Sequence, residues 1–443
     1  MKFYGRSGEI RTLRNIRARA SRNAQFTIVT GRRRIGKTEL IDQALNDGTQ
    51  DYVYLLITKQ LEKPLCAALQ EEVGQALGNR VNMMGTAERL IDIVRTVFQA
   101  SVDCPLTLVI DEFQEIDKID SAFFSELQGL WDSYHKKAKI NFVVLGSIYR
   151  LMTKILFDKH EPLYGRSTAH LHLEPFPVSV CKEILRDHNP GYSNDDLLTL
   201  WTMTGGVAKY VELFMDNEAW SRQGMIESVF APTSILVDEG RNLLSEEFRS
   251  EGGTYFSILA SIASGKTRFS EIETVSGRDV GTYLANLEGH YRLVSRIIPV
   301  FETGKVKNAA YRIDDCFLRF WFRFVFKNQH LIELKRHDAL KVLMERDLDA
   351  FSRQALEGYF KAKFIEERAF TKIGNWWDRK GENEIDLVCE NELEDALVFY
   401  EIKRDASRID LKELEFKAHA FLTKNPQLKS RNISYKGLSM EDM

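Results

Sequence analysis

The chain has only five cysteines in 443 residues, Cys66, Cys104, Cys181, Cys316 and Cys389, and no two of them form a C-x-x-C pair. That spacing argues against a zinc site and a disulfide framework, and it suits a reducing compartment. Long apolar runs are missing as well. The N-terminus MKFYGRSGEI has no signal-peptide core, and no stretch approaches the roughly 18 apolar residues of a membrane span. A cytoplasmic location with no membrane partner is therefore expected. Neither internal repeats nor low-complexity tracts occur. The net charge is −3, which neither favours nor excludes a nucleic-acid partner. What remains is ordinary for a globular protein: 44% hydrophobic and 28% charged residues, in a length that suggests two to four domains.

The small net charge hides an asymmetry. Residues 1–50 hold eleven Lys/Arg against four Asp/Glu, with Arg11, Arg14, Arg17, Arg19 and Arg22 on one helical stretch. Such a run is either a solvated face or a nucleic-acid contact, the solvated face being the commoner case. Short apolar runs at Phe26–Thr30, Tyr52–Ile57, Leu106–Ile110, Phe142–Leu145 and Ala169–Leu173 have the look of buried strands. Helical patterns such as Ala87–Ala100 and Phe123–His135 separate them, and this alternation predicts a parallel sheet covered on both faces.

The first run leads into Gly31 to Thr38 (GRRRIGKT), which satisfies G-x-x-x-x-G-K-[ST] between a strand and a helix. Gly31 and Gly36 let backbone N–H groups surround phosphates, and the helix N-terminus adds its positive dipole end. Lys37 is expected to reach the β- and γ-phosphates of ATP, and the Thr38 hydroxyl to ligate Mg2+. Downstream, LTLVIDEF ends an apolar strand in Asp111, a second magnesium-side carboxylate. Glu112 is the candidate general base. Ser147, at the end of the next strand, is a candidate γ-phosphate sensor or an ordinary turn residue. Arg166 in LYGRST is a candidate arginine finger, in cis or from a neighbouring subunit, or else a surface arginine. Arg32, Arg33 and Arg34 are expected to be solvated.

FYGRSGEI, GRRRIGKTEL, LVIDEFQEI, LGSIYRLM, LYGRST and TGGVAKYVEL together resemble the archaeal-type ATPase family, in the AAA+/STAND branch of P-loop NTPases. The resemblance covers about residues 1–335. It implies that Phe3, Gly5 and Arg6 lie near the adenine and that Gly205, Gly206 and Val207 form a lid motif. Ala208 stands where the family usually has proline, which weakens the expected lid contact with nucleotide.

Beyond residue 235 the pattern changes. Tyr255–Ala263, Phe269–Val275 and Asp279–Leu287, followed by a hairpin of Tyr291–Val300 with Tyr311–Ile313, outline a winged helix. Its third helix carries no Arg/Lys row and is poorly suited to a DNA groove. The aromatic run Cys316–Phe326 reads as a helix packed between domains. The last segment predicts a helix over Ala350–Glu367, strands near Phe370–Gly374, Ile385–Cys389 and Leu397–Ile402, a helix over Leu411–Leu422, and a strand near Arg431–Tyr435. In it, Asp386 and Glu401 can converge from neighbouring strands, and Lys403 shares a face with Glu401. Two carboxylates suit Mg2+, and Glu357 on the preceding helix can complete the ligand set. Lys403 can assist a nucleophilic water or stabilise the transition state. This arrangement is similar to the PD-(D/E)XK nuclease superfamily, with Ile385 where proline is usual. Trp376 and Trp377 fit either base stacking or packing under the hairpin, with packing favoured.

The expected fold class is α/β. It comprises a P-loop NTPase parallel sheet (1–175) with a helical lid (176–235), a winged-helix domain with a helical connector (236–335) and a restriction-endonuclease-like α/β domain (336–443). Two functions compete. One is an ATPase whose cycle gates a Mg2+-dependent nuclease on DNA or RNA. The other is a STAND-type ATP switch, homo-oligomeric or partner-selecting, with a non-catalytic tail.

Overall fold

A computed structural model describes residues 1–78, 87–248, 252–302, 309–379 and 381–443. The chain divides into two compact units, Gly5–Glu174 on one side and Pro175–Met443 with Met1–Tyr4 on the other.

The first unit is built on five parallel strands: β1 (Gln25–Gly31), β2 (Asp51–Leu56), β3 (Leu106–Asp111), β4 (Ile140–Gly146) and β5 (Ala169–Leu173). Their order is β2-β3-β4-β1-β5, so β4 lies between the strands that lead to the phosphate loop and to Asp111. The runs QFTIVTG, LTLVID and INFVVLG are buried almost end to end, as continuous apolar strands covered on both faces must be. Around them lie α1 (Ser7–Ala20), α2 (Lys37–Leu45), α3 (Glu62–Leu77), α4 (Leu90–Ala100), α5 (Phe123–Tyr134) and α6 (Tyr149–Phe157). The core is strongly aromatic: Phe26 lies 4.8 Å from Phe142 and 5.4 Å from Trp131, centroid to centroid. The expected helix at Ala87–Ala100 starts later, at Leu90, because Arg89 is extended and pairs with Asp120 and Glu126.

The second unit opens with helices α7 (Val178–His188), α8 (Asn194–Thr204), α9 (Ala208–Asp216), α10 (Arg222–Val229) and α11 (Leu236–Phe248). Then come α12 (Gly252–Ala263), α13 (Phe269–Ser276), α14 (Gly281–Gly289) and an antiparallel pair, β6 (Val294–Ile297) with β7 (Ala310–Ile313). Three helices and a hairpin are the order expected of a winged helix. The aromatic run is no single α-helix. It is α15 (Cys316–Phe320), then a π-helical turn over Trp321–Val325 and a 3-10 turn over Phe326–Asn328. Trp321 explains its packing: the indole donates to the Val237 carbonyl at 2.7 Å, over Gly240, where any Cβ would meet the ring at 2.2 Å.

Short helix α16 (Gln329–Glu333) leads to α17 (His337–Phe351) and α18 (Arg353–Glu366). The helix expected over Ala350–Glu367 therefore breaks at Ser352, whose hydroxyl donates back to the Asp349 carbonyl. Strands β8 (Lys372–Trp377), β9 (Glu384–Asn391) and β10 (Ala396–Ile402), helix α19 (Leu411–Lys424) and strand β11 (Asn432–Leu438) complete the chain. The sheet order is β11-β10-β9-β8, with β10 and β11 parallel and the other pairs antiparallel. The expected α-β-β-β-α-β order is observed. β8 lies later than the expected Phe370–Gly374, and its register against β9 shifts between Gly374 and Trp376.

Candidate functional site

The phosphate loop follows β1. Arg34 (φ 67°) and Gly36 (φ 87°) turn it through left-handed backbone, and α2 begins at Lys37. A Cβ on Gly31 would stand 2.9 Å from the Leu173 carbonyl oxygen of the neighbouring strand, so this position excludes a side chain. Lys37 is buried, and its ammonium donates to the carbonyls of Gly31 (2.9 Å) and Arg32 (3.0 Å), so it lies along the loop that would hold phosphates. Thr38 donates to Asp111 at 2.9 Å. A hydroxyl from the first turn of α2 and a carboxylate from the end of β3, in direct contact, are the hard oxygen donors that Mg2+ prefers.

Two residues that the sequence did not single out complete the carboxylate shell. Tyr54 donates to the same Asp111 oxygen at 2.6 Å. Burial first, and then the Asp111 charge, push its phenol pKa well up, so it remains a donor. Gln114 donates to Glu112, which also accepts from Ser147 at 3.0 and 3.1 Å. Ser147 thus contacts the expected general base. Glu112 itself has φ 53°, a left-handed backbone that costs a non-glycine residue on the order of 1–3 kcal/mol. No pattern announces Tyr54; pairing of β2 with β3 sets Leu56 opposite Asp111, and Tyr54, two residues earlier on the same face, reaches the carboxylate with its hydroxyl.

Other expected residues are placed elsewhere. Arg166 is held by Asp132 in a bidentate pair at 2.9 and 3.1 Å and by the Pro162 carbonyl, so a finger role requires that pair to open. Arg6 pairs with Glu9 and the Glu174 carbonyl within the parallel-sheet unit. Phe3 belongs to the helical unit, where Met1 meets Asp216 and Tyr4 meets Asp187. Gly205 (φ 56°) and Gly206 (φ 79°) have a packing reason of their own: a Cβ on Gly206 would lie 2.4 Å from the Phe176 carbonyl oxygen. The basic stretch is not simply solvated. Arg14 and Arg17 donate to the Gln43, Ala44 and Leu45 carbonyls, and Arg17 grips Asp47.

A second cluster forms where the start of β9 meets the end of β10. The Lys403 ammonium lies 2.9 Å from Glu401 and 3.5 Å from Asp386. Asp386 accepts the Ile402 N–H at 2.6 Å, and Glu401 accepts the Asp410 N–H at 2.9 Å. Burial raises the Asp386 pKa against the pull of these donors. Burial also opposes the Lys403 charge, but the two carboxylates outweigh it and hold the ammonium protonated. Glu357 does not join them as expected. Among the described residues, no three of His, Cys, Asp and Glu converge at metal-ligand spacing. Glu357 instead faces Asp386 and Glu384 from α18, and burial, then those charges, push it up to about 8. Trp376 is buried 5.6 Å from Phe421 in the core of this sheet, as the packing alternative had it.

No helix among the described residues is long and apolar enough to cross a membrane. Residues 3–214 match the profile of an ATPase domain found predominantly in Archaea, and residues 321–415 match a profile of archaeal and bacterial proteins of unknown function. An uncharacterized protein of Methanocaldococcus jannaschii is 28% identical over 407 residues, 89% of this chain and 86% of the relative. The Walker-type ATPase of Pyrococcus abyssi superposes with a TM-score of 0.55 at 20% identity, over 72% of this chain and 96% of that one. The ORC2 protein of Aeropyrum pernix, solved in ADPNP–ADP complexes, gives 0.51 at 15% identity, over 74% and 95%. These two likenesses carry the fold, and the profile agrees with the phosphate loop and its acidic strand. Residues 3–214 therefore carry an archaeal-type ATPase domain, in which the phosphate loop and the strand ending at Asp111 have the form of an ATP-binding site.

Proposed function

We propose that this chain is a Mg2+-dependent ATPase whose nucleotide cycle controls a nuclease-like C-terminal domain acting on nucleic acid. The observation that carries the nuclease half is the contact of Lys403 with both Glu401 and Asp386, delivered from adjacent strands. Bound magnesium would neutralise charge on the phosphates at either site. Thr38 and Asp111 are the residues to hold it in the ATPase domain, and Asp386 and Glu401 in the tail. Each pair supplies hard oxygens.

In the ATPase, Lys37 leaves its carbonyl partners for the phosphate oxygens, and Glu112 accepts a proton from the attacking water. Ser147 and Gln114 fix the direction of that carboxylate. In the tail, Lys403 stabilises charge that develops on a phosphodiester.

The second reading is a STAND-type switch with a tail that binds without cutting. The absence of a third converging ligand among the described residues favours it. The test separates the two. The full chain is incubated with Mg2+ or Mn2+, with and without ATP, on single- and double-stranded DNA and RNA. Cleavage by wild type that disappears in Asp386→Ala and in Lys403→Ala supports the nuclease. No cleavage under any of these conditions refutes it and leaves the switch. Lys37→Ala is expected to abolish ATP binding, and Glu112→Gln to keep binding while turnover stops.

A further inference from the structure

A cleft of about 620 Å³ opens within the second compact unit. One wall comes from β7, α15 and the π turn, the other from α17, α18, the end of β8 and the start of β9. Arg312, Arg319, Arg323 and Arg353 line it, against two carboxylates, Glu357 and Glu384. These four arginines are not equally neutralised. Arg323 has Asp347 at 2.7 Å. Arg312 reaches Asp314 only at 4.0 Å. Arg319 donates to the neutral Gln354 amide at 2.9 Å and meets the Cys316 sulfur at 3.0 Å, and its Nε is buried with no acceptor among the described residues. Arg353 is exposed at the cleft edge.

Two guanidiniums that line one cleft, partly out of water and short of counter-charge, are costly unless an anion completes the set. Burial and then the Arg319 charge push the Arg312 guanidinium below its ordinary pKa, which reports the same conflict. The remaining lining narrows the anion. Tyr311, Phe351 and Trp377 share the walls with the arginines, and arginines interleaved with aromatic rings suit a single strand, whose bases stack while its phosphates pair. The floor leads somewhere definite. Asn375 lines the cleft and donates to the Asp386 carbonyl at 2.6 Å. Glu384 lies two residues before Asp386 on β9 and so shares its face.

We propose that this cleft binds a single strand of nucleic acid, with phosphates on Arg312, Arg319 and Arg353, and delivers it to Asp386, Glu401 and Lys403. The destination rests on the nuclease-like reading; the binding does not.

The test measures fluorescence anisotropy of a 5′-labelled 12-nucleotide single-stranded DNA with the full chain at several salt concentrations. The double variant Arg319→Gln/Arg353→Glu is expected to bind at least tenfold more weakly. Its salt slope should be shallower by about 1.4, since each lost phosphate contact on a single strand accounts for roughly 0.7. Arg241→Glu, an exposed substitution away from the cleft, should bind as wild type does, and unchanged melting temperatures would show that all variants fold. Inorganic phosphate at equal charge should compete poorly. Wild type that ignores the oligonucleotide, or a folded double variant that binds it equally well, overturns the proposal. Binding by wild type and by Asp386→Ala without cleavage by either upholds the cleft and sinks the nuclease. Cleavage that is indifferent to the double variant does the reverse.

Discussion

Arg404 follows Lys403 directly and ties the C-terminal sheet to helix α8. Its guanidinium donates to Asp195 at 2.7 Å and to the Ser352 hydroxyl at 2.7 Å, and Asp195 also accepts from Arg222 at 2.9 Å. The side chains of Asp195, Arg222 and Arg404 are 31%, 23% and 18% exposed, so the network is partly shielded from water. Charge-assisted bonds are worth about 1.5–3 kcal/mol each when buried. Partial exposure reduces that to about 1 kcal/mol each. Asp349, 2.6 Å from Arg222 and 3.3 Å from Arg404, retains part of the pairing once Asp195 is gone. Asp195→Ala is therefore expected to cost about 2 kcal/mol, and the Asp195→Ala/Arg404→Ala double-mutant cycle to show a coupling of about 1 kcal/mol. Urea unfolding followed by intrinsic fluorescence reads this unit selectively, because Trp201, Trp220, Trp321, Trp376 and Trp377 belong to it and Trp131 does not. Burial alone would raise the Asp195 pKa, but Arg404 and Arg222 overrule it and hold it below the ordinary 3.8. The coupling should therefore be complete at neutral pH and shrink as pH falls through the folded value. A coupling below about 0.3 kcal/mol at pH 7 would refute the assignment of this link.

Glu357 makes the opposite kind of prediction. Its pKa lies at about 8 rather than 4.5, so the folded chain binds a proton that the unfolded chain has lost. Stability should decline as pH rises from 4.5 to 8 and flatten above, with a ceiling of roughly 5 kcal/mol that relaxation will reduce to about 2. Glu357→Gln should thus raise the urea midpoint at pH 9 and leave it unchanged near pH 4; an equal effect at both would count against a buried neutral acid. Gly146→Ala would place a Cβ 2.3 Å from Met152 and 2.7 Å from the Gln114 oxygen. Displacing Gln114 loosens its bond to Glu112, so turnover should fall about tenfold while nucleotide binding, measured by calorimetry, stays near wild type. Equal loss of both would point to collapse of β4 instead.

The ATPase half was legible because its chemistry is local. Gly31 to Thr38 is contiguous, and the LTLVID strand announces Asp111 by its apolar run, so only Tyr54 and Gln114 escaped, both delivered by sheet pairing and a turn. The tail was legible in element order, and the expected gathering of Asp386, Glu401 and Lys403 is seen as the contact of Lys403 with both carboxylates. Its ligand set was misjudged because spacing cannot say that Glu357 faces the cleft rather than Glu401. The cleft itself had no sequence signal. Its arginines are spread from Arg312 to Arg353 across the hairpin, the irregular helix of residues 316–328 and α18, a separation that only the folded chain closes.

The basic N-terminal stretch shows how a surface feature can serve a distant site. Arg14 and Arg17 occupy the carbonyl end of α2, the helix whose other end is the phosphate loop. The last carbonyls of a helix have no partners of their own, and cations there are favourable by about 0.3–1 kcal/mol each, more when partly buried. Arg17 is buried and further fixed by Asp47, whose pKa its guanidinium holds far below the ordinary carboxylate range. A short helix of Lys37–Leu45 secured at its C-terminus holds Lys37 and Thr38 steady at its N-terminus, where a 1 Å displacement is enough to spoil phosphate geometry. The charge of Arg14 and Arg17 thus acts on the phosphate loop through the backbone of α2, and no nucleic acid is needed to account for these two residues.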